Sequence, residues 1–319
     1  MNIKIPQYDL DGLGGEFLVT QGLEKSIAEF FGIKHCVIVS SGTVALFLAL
    51  RATGAKKVAI PSLTMIATAT AAELAGCEIV LTSNNEIPEG SDTYVHVSLN
   101  GRDCGIEDVI HSHPTLNIIE DACQSFGSKH NAKYLGTFGK VGCFSFSPHK
   151  IMSAGNGGCV VTNDDDIARE VKKLKNFGRE SGGADQHESI GYNFKFTDIQ
   201  ANFMLPQFAD LQSRLAKKVR IYQRYYDVLH DIMRPHTGVP WFVDVYVDDR
   251  DTLTSSLAEK GIGTRKMYPL ISTQKPFDGV KTYGDFTTDE SYSRRGLWLP
   301  SSLGLTEGQI DCVIRAIRS

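Results

Sequence analysis

Through its first third the chain alternates short apolar runs with helical stretches, and several of those helices are closed by a glycine. Residues 23–31 (LEKSIAEFF) have helical apolar spacing and stop at Gly32. Residues 36–39 form a strand, VALFLALRAT runs to Gly54, residues 57–60 form a second strand, and the Ala-rich stretch 64–75 ends at Gly76. Glycine is expected there because the residue that ends a helix commonly turns left-handed. Strands at 78–81, 93–97 and 116–119, with a short helix at 106–111, continue the series. Repeated units of this kind predict a mostly parallel sheet with helices on both faces. In such sheets ligands sit at the carboxyl ends of the strands.

Three such strand ends carry chemistry-bearing residues. Ser40-Ser41-Gly42-Thr43 follows the first strand and opens a helix, where free N–H groups, the positive dipole end and hydroxyls together suit an anion. Taken singly this is an ordinary N-cap. The strand 116–119 delivers Glu120-Asp121. VGCFSFSPHKIMSAGNGGCVVT (141–162) reads as strand 141–146, a polar turn carrying Lys150, a hairpin with Gly155, Gly157 and Gly158, and strand 159–161. A lysine between two strands buried on both faces either snorkels to the edge or works as an amine with a lowered pKa.

Beyond it come a helix at 164–176, a polar loop at 178–188, GYNFKF, and one long helix capped by Thr197 or Asp198 that runs to about His230. That helix turns basic at RLAKKVRIYQR, as a helix bridging two domains does. The segment 235–240 marks a boundary, followed by a strand at 241–247 and helices at 251–260 and 306–318. The expected division is a large domain, 1–235, with an extended arm over residues 1–22, and a smaller α+β domain, 236–319.

Of the 319 residues, 42% are hydrophobic and 22% charged, and the net charge is −4 with no long basic run. That balance argues against a nucleic-acid binder. Seven scattered cysteines without a C-x-x-C pair fit reduced thiols rather than disulfides or zinc. His111 and His113 lack further ligand candidates nearby, so no metal is expected. No leader-like segment and no apolar stretch near 18 residues is seen, which points to a cytoplasmic protein with no membrane partner.

An anion cradle, a strand-end aspartate and an amine lysine together match pyridoxal 5'-phosphate. Its phosphate wants the cradle, its pyridine nitrogen a carboxylate, and its aldehyde a lysine. The sequence resembles the DegT/DnrJ/EryC1/StrS sugar aminotransferases, within the fold type I (aspartate aminotransferase) superfamily of pyridoxal-phosphate enzymes. The resemblance spans LVTQGLEKSIAEFFGIKHCVIVSSGTVALFLAL, IEDACQSFGSKH, GCFSFSPHKIMSAGNGGCVVTND, GYNFKFTDIQANFMLPQ and GIGTRKMYPL.

This resemblance implies that Lys150 attaches the cofactor and shuttles protons. It implies that Ser145, Gly42 and Thr43 hold the phosphate, Asp121 the pyridine nitrogen and Gln124 the ring hydroxyl. Asn193 would reach the phosphate of a neighbouring subunit, giving a homodimer with shared active sites. Two positions depart from the family: Met65 stands where an aromatic ring often covers the cofactor, and Lys195 where an arginine often follows GYN. Lys195, Arg179 and Arg265 are candidate substrate contacts, each also readable as a solvated surface charge. The implied reaction moves an amino group from L-glutamate to a nucleotide-linked keto-6-deoxy sugar. KIMSAGNGG looks most like enzymes of the perosamine type that aminate C4, with C3 amination as the alternative. In the family's 3-dehydratases a histidine replaces the lysine. His149 is adjacent, but the five-residue step from Ser145 lands on Lys150. A catalytically silent regulator is the rival from another class, and retention of lysine, aspartate, glutamine and cradle together opposes it.

Overall fold

The computed structural model describes residues 17–180 and 187–319. In chain order it contains α1 (Leu18–Phe31), β1 (His35–Val39), α2 (Gly42–Thr53), β2 (Lys57–Pro61), α3 (Ala67–Ala75), β3 (Glu78–Thr82), β4 (Thr93–Val97), α4 (Ile106–Ser112) and β5 (Asn117–Asp121). A small hairpin, β6 (Lys129–His130) and β7 (Lys133–Tyr134), precedes β8 (Val141–Ser145), β9 (Gly158–Thr162), α5 (Asp165–Lys175), α6 (Asp198–Ala209) and α7 (Leu211–Leu229). The chain ends with β10 (Val243–Tyr246), α8 (Arg250–Glu259), β11 (Arg265–Lys266), β12 (Lys281–Tyr283), α9 (Thr287–Arg295), β13 (Gly296–Leu299) and α10 (Glu307–Arg318).

Eight strands form one sheet in the order β1-β9-β8-β5-β4-β2-β3-β12. All run parallel except β9, which is antiparallel to both β1 and β8. Alternation along the strands feeds two cores, one on each face. Val37, Val39, Cys143 and Val160 join α2, α3 and α5 on one side. Cys36, Ile38, Phe144, Cys159 and Val161 join α1 and α6 on the other. Strands covered on both faces are apolar throughout, which is why they read as continuous runs. The glycines after α1, α2 and α3 are left-handed, as expected. A second sheet, β10-β13-β11, packs with α7, α8 and α10 around Ile221, Tyr225, Leu297 and Val313.

Several expectations change. α1 begins at Leu18, so residues 18–22 of the expected arm are helical, and residues 1–16 lie outside the described residues. The cap of this helix is remote: Asp198 accepts the N–H groups of Val19 and Thr20 and the Thr20 hydroxyl. The long helix to His230 is two helices, α6 and α7, meeting at Asp210. Pro206, in the last turn of α6, has no N–H to continue the ladder. Thr197 is the cap, in a full capping box with Gln200. The second sheet lies wholly beyond residue 235, yet β12 crosses back to pair with β3, and Ile271 and Phe277 enter the core of the large sheet. Among the described residues no helix is long and apolar enough to cross a membrane.

Candidate active site

The site assembles at the carboxyl ends of β1, β5 and β8. After β1, Ser41 caps α2 by accepting the Val44 N–H at 3.2 Å. Gly42 follows, and steric room dictates its identity. A Cβ there would lie 2.7 Å from the Ser145 Cβ and 3.0 Å from the Cys123 sulfur. Opposite, a Cβ on Gly158 would lie 2.6 Å from the Gly42 nitrogen. The start of α2, with Gly42 and Thr43, and the end of β8, with Ser145, are therefore in direct contact. Gly157, at φ 153° against Phe196, shapes the hairpin in the same way. The result is a small cradle of helix N–H groups and hydroxyls suited to phosphate.

Asp121 ends β5 and is 6% exposed. Its carboxylate accepts the Thr68 hydroxyl at 2.7 Å and the Cys123 N–H at 3.2 Å. Two donors stabilise the ionised form and still leave lone pairs for a ligand. Three residues on, the Gln124 side-chain oxygen accepts the Asn100 N–H at 3.0 Å. That bond fixes the amide so that its NH₂ end remains as a donor. Asn100 holds a left-handed backbone (φ 55°) to aim its N–H, and its own side-chain oxygen takes the Phe242 N–H at 2.9 Å.

Lys150 sits in the turn after β8, its N–H bonded to the Ser147 carbonyl. Its Nζ lies 3.4 Å from the centre of the Trp241 ring, and Trp241 donates its indole N–H to the His149 carbonyl at 2.7 Å. Burial, joined by the nearby charge of Arg265, pushes this amine down to about 8, against the opposing pull of Asp121. At pH 7.5 roughly a quarter of such amines are neutral, against about one in a thousand at the usual lysine value. The amine is thereby poised as a nucleophile and base. Beside it opens a cleft of about 540 Å³, bordered by Lys150, Lys218, Trp241, Arg265, Trp298 and Ser301 among others, with no aspartate or glutamate of the described residues in its walls.

The remaining expected residues are placed as follows. Met65 is 47% exposed, and its carbonyl caps the turn that aims Thr68 at Asp121. Asn193 is exposed. Its backbone bridges to Asn176, and the next residue's carbonyl accepts the Ser40 N–H at 3.1 Å, so this segment borders the cradle. Arg265 shares the Lys150 cleft. Arg179 and Lys195 do not: both lie over the Phe177 ring, along a separate groove of about 910 Å³ between α1 and α5. Sequence reasoning missed Thr68, Asn100, Cys123, Trp241 and Lys218. Only Cys123, between Asp121 and Gln124, carried a positional signal.

The residues present fit pyridoxal phosphate on three counts: a cradle that a Cβ would fill, a buried carboxylate with spare lone pairs, and an amine with a depressed pKa. On this α/β scaffold they define a pyridoxal-phosphate enzyme of fold type I. The family model described as the DegT/DnrJ/EryC1/StrS aminotransferase family matches residues 16–318, and the chain belongs to that family of pyridoxal-phosphate-dependent aminotransferases. It is 30% identical to a GDP-perosamine synthase of Caulobacter vibrioides, over 95% of this chain and 90% of the relative. It is 29% identical to a UDP-N-acetyl-3-dehydro-alpha-D-glucosamine 3-aminotransferase of Acidithiobacillus ferrooxidans, over 93% and 87%. Among solved structures, a DegT DnrJ EryC1 StrS aminotransferase from Brucella abortus superposes with a TM-score of 0.88 at 28% identity, over 94% of this chain and 90% of the other.

Proposed function

We propose that this enzyme moves an amino group from L-glutamate to C4 of a nucleotide-linked 4-keto-6-deoxy sugar, as in perosamine- or viosamine-type synthesis. The observation that carries the reading is the Lys150 amine in the turn after β8, over Trp241 and at the edge of its cleft, together with a buried Asp121 that accepts only one hydroxyl and one N–H. In this reading Lys150 attaches the cofactor. Freed by the incoming donor, it takes the proton from the donor's α-carbon and later returns one to the sugar carbon. Asp121, steadied by Thr68, holds the proton on the ring nitrogen. Gln124, its oxygen occupied by Asn100, donates to the ring hydroxyl oxygen. Gly42, Thr43 and Ser145 bind the phosphate, joined by Asn193 of a second copy in a homodimer, and Met65 lies against the ring. When bound, the cofactor supplies an electron sink for the charge left on the α-carbon.

The similarity to a GDP-perosamine synthase supports C4. The similarity, nearly as high, to a 3-aminotransferase supports a second reading, amination at C3. The experiment is the visible spectrum of cofactor-loaded wild type and Lys150→Ala, before and after L-glutamate, followed by nucleotide 4-keto and 3-keto sugars. A band present only in wild type, bleached by glutamate and restored by the 4-keto sugar, is expected. Restoration by the 3-keto sugar alone moves the assignment to C3, and a band independent of Lys150 sinks the reading.

A further inference from the structure

Lys218, on α7, is a buried cation with no anion beside it. It is 5% exposed, and its Nζ donates to the Ser301 carbonyl at 2.7 Å. Among the described residues no carboxylate lies within ion-pair distance of it. Burial alone pushes this amine down to about 7. An ammonium has three donors, and a single neutral acceptor leaves most of its desolvation uncompensated. A group of this kind is stabilised when an anion arrives.

Its surroundings offer a route for one. Lys218 borders the same cleft as Lys150 and Arg265, and among the described residues its walls hold these three basic side chains besides His149, and no carboxylate. At about 540 Å³ it is in the range of small-molecule sites. The three cations are not equivalent. Arg265 stands on β11, opposite Trp298 of β13, with its guanidinium 4.9 Å from that ring centre, and its charge bears on Lys150. Lys218 stands on α7, on a different element from either, and its Nζ is held by the Ser301 carbonyl. An amino acid arriving at Lys150 carries a carboxylate one bond from its reacting carbon, and that carboxylate falls to Arg265, whose charge bears on Lys150. Lys218 is left for a second carboxylate further along the chain.

We propose that Arg265 and Lys218 bracket a dicarboxylic amino donor, Arg265 taking the carboxylate beside the reacting amine and Lys218 the distal one. Lys218 thereby sets the preference for a dicarboxylate over a monocarboxylic amino acid. The proposal rests on the aminotransferase reading, and it adds a residue that selects the donor.

The test compares L-glutamate with L-norvaline, which is glutamate without the distal carboxylate. Bleaching of the cofactor band is titrated in wild type, Lys218→Met and Lys218→Gln. The glutamine keeps a donor for Ser301 and removes the charge, so a misfolded methionine variant does not end the experiment. Half-saturating glutamate is expected to rise at least about tenfold in both variants, with norvaline changed less than about twofold. Calorimetric titration with glutarate and valerate gives a second readout that needs no turnover: glutarate binding weakens in the variants and valerate binding does not. Equal changes for both amino acids, or unchanged glutarate binding, overturn the proposal. Loss of GDP or dTDP affinity with glutamate unaffected also overturns it and assigns the cleft to a diphosphate. A wild type that no amino acid bleaches sinks the aminotransferase reading instead, while the glutarate titration still decides the role of Lys218.

Discussion

β5 ends in two adjacent carboxylates that the sheet turns to opposite faces. Glu120 is fully buried and accepts three backbone N–H groups, from Gly136 at 2.7 Å and from Phe138 and Gly139 at 2.6 Å each. Asp121 is nearly as buried but accepts one hydroxyl and one N–H. The first carboxylate is saturated by its own chain and anchors the loop that leads into β8. The second is left partly open toward the cradle and Lys150. Identical chemistry one residue apart thus serves structure on one face and ligand on the other. The number of donors already spent on each carboxylate distinguishes them, since burial is similar.

If that distinction holds, the two positions fail differently. Asp121→Ala is expected to lower turnover by about a thousandfold or more, with the melting temperature nearly unchanged, as measured by steady-state kinetics and calorimetry. An equal loss of stability at Asp121 would erase the contrast. Glu120→Ala strands three buried N–H groups and is expected to cost at least about 3 kcal/mol in urea unfolding, with the folded fraction still binding cofactor.

Acid titration sharpens the same comparison. Burial raises the Glu120 carboxyl to about 6, against the three N–H groups that favour its ionised form. Its folded value lies above its unfolded one, so the native state holds the extra proton. The contribution is complete below about pH 4.5 and is lost as pH rises through about 6, amounting to about 2 kcal/mol. Unfolding free energies of wild type between pH 4.5 and 7 should carry that fall, and Glu120→Gln should lack it. The smallest expected effect is Thr68→Val, which removes one of the two donors to Asp121. It should lower turnover about fivefold, near 1 kcal/mol, and weaken cofactor retention with little change in stability. A Thr68→Val enzyme with full activity would show that the Cys123 N–H alone orients Asp121.

Much of this arrangement was legible before any coordinates. Strands covered on both faces announce themselves as apolar runs, and the glycines at 32, 54 and 76 end their helices for a local reason. Gly42, Asp121 and Lys150 were visible because strand ends are where such sheets hold ligands. What was missed is held by distant partners. Thr68 acts on a residue 53 positions away and Trp241 bonds to one 92 away, and neither carries a local signature. The break at Asp210 was hidden because the apolar spacing continues across it, and Pro206 comes only in the last turn of α6. β12 was hidden because Lys281, Thr282 and Tyr283 are all exposed and show no apolar run, although Lys281 adds an ion pair with Glu78 to the backbone pairing with β3. Lys195, standing where the family often has an arginine, and Arg179 were candidate substrate contacts, and both lie over Phe177 along a groove separate from the Lys150 cleft.

The antiparallel strand β9 has a consequence for how the chain comes to exist. Among the described residues β1 pairs with β9 alone, and Gly42 follows β1 by three residues. A nascent chain emerging from the ribosome therefore cannot seat its first strand until residues 158–162 have been made. The anion cradle joins the start of α2 to Ser145 at the end of β8, so it is completed only after β8 and β9 have been made. Up to that moment the apolar residues of β1 have no sheet to join, so of the large-sheet strands that precede β9 it is the last to be protected.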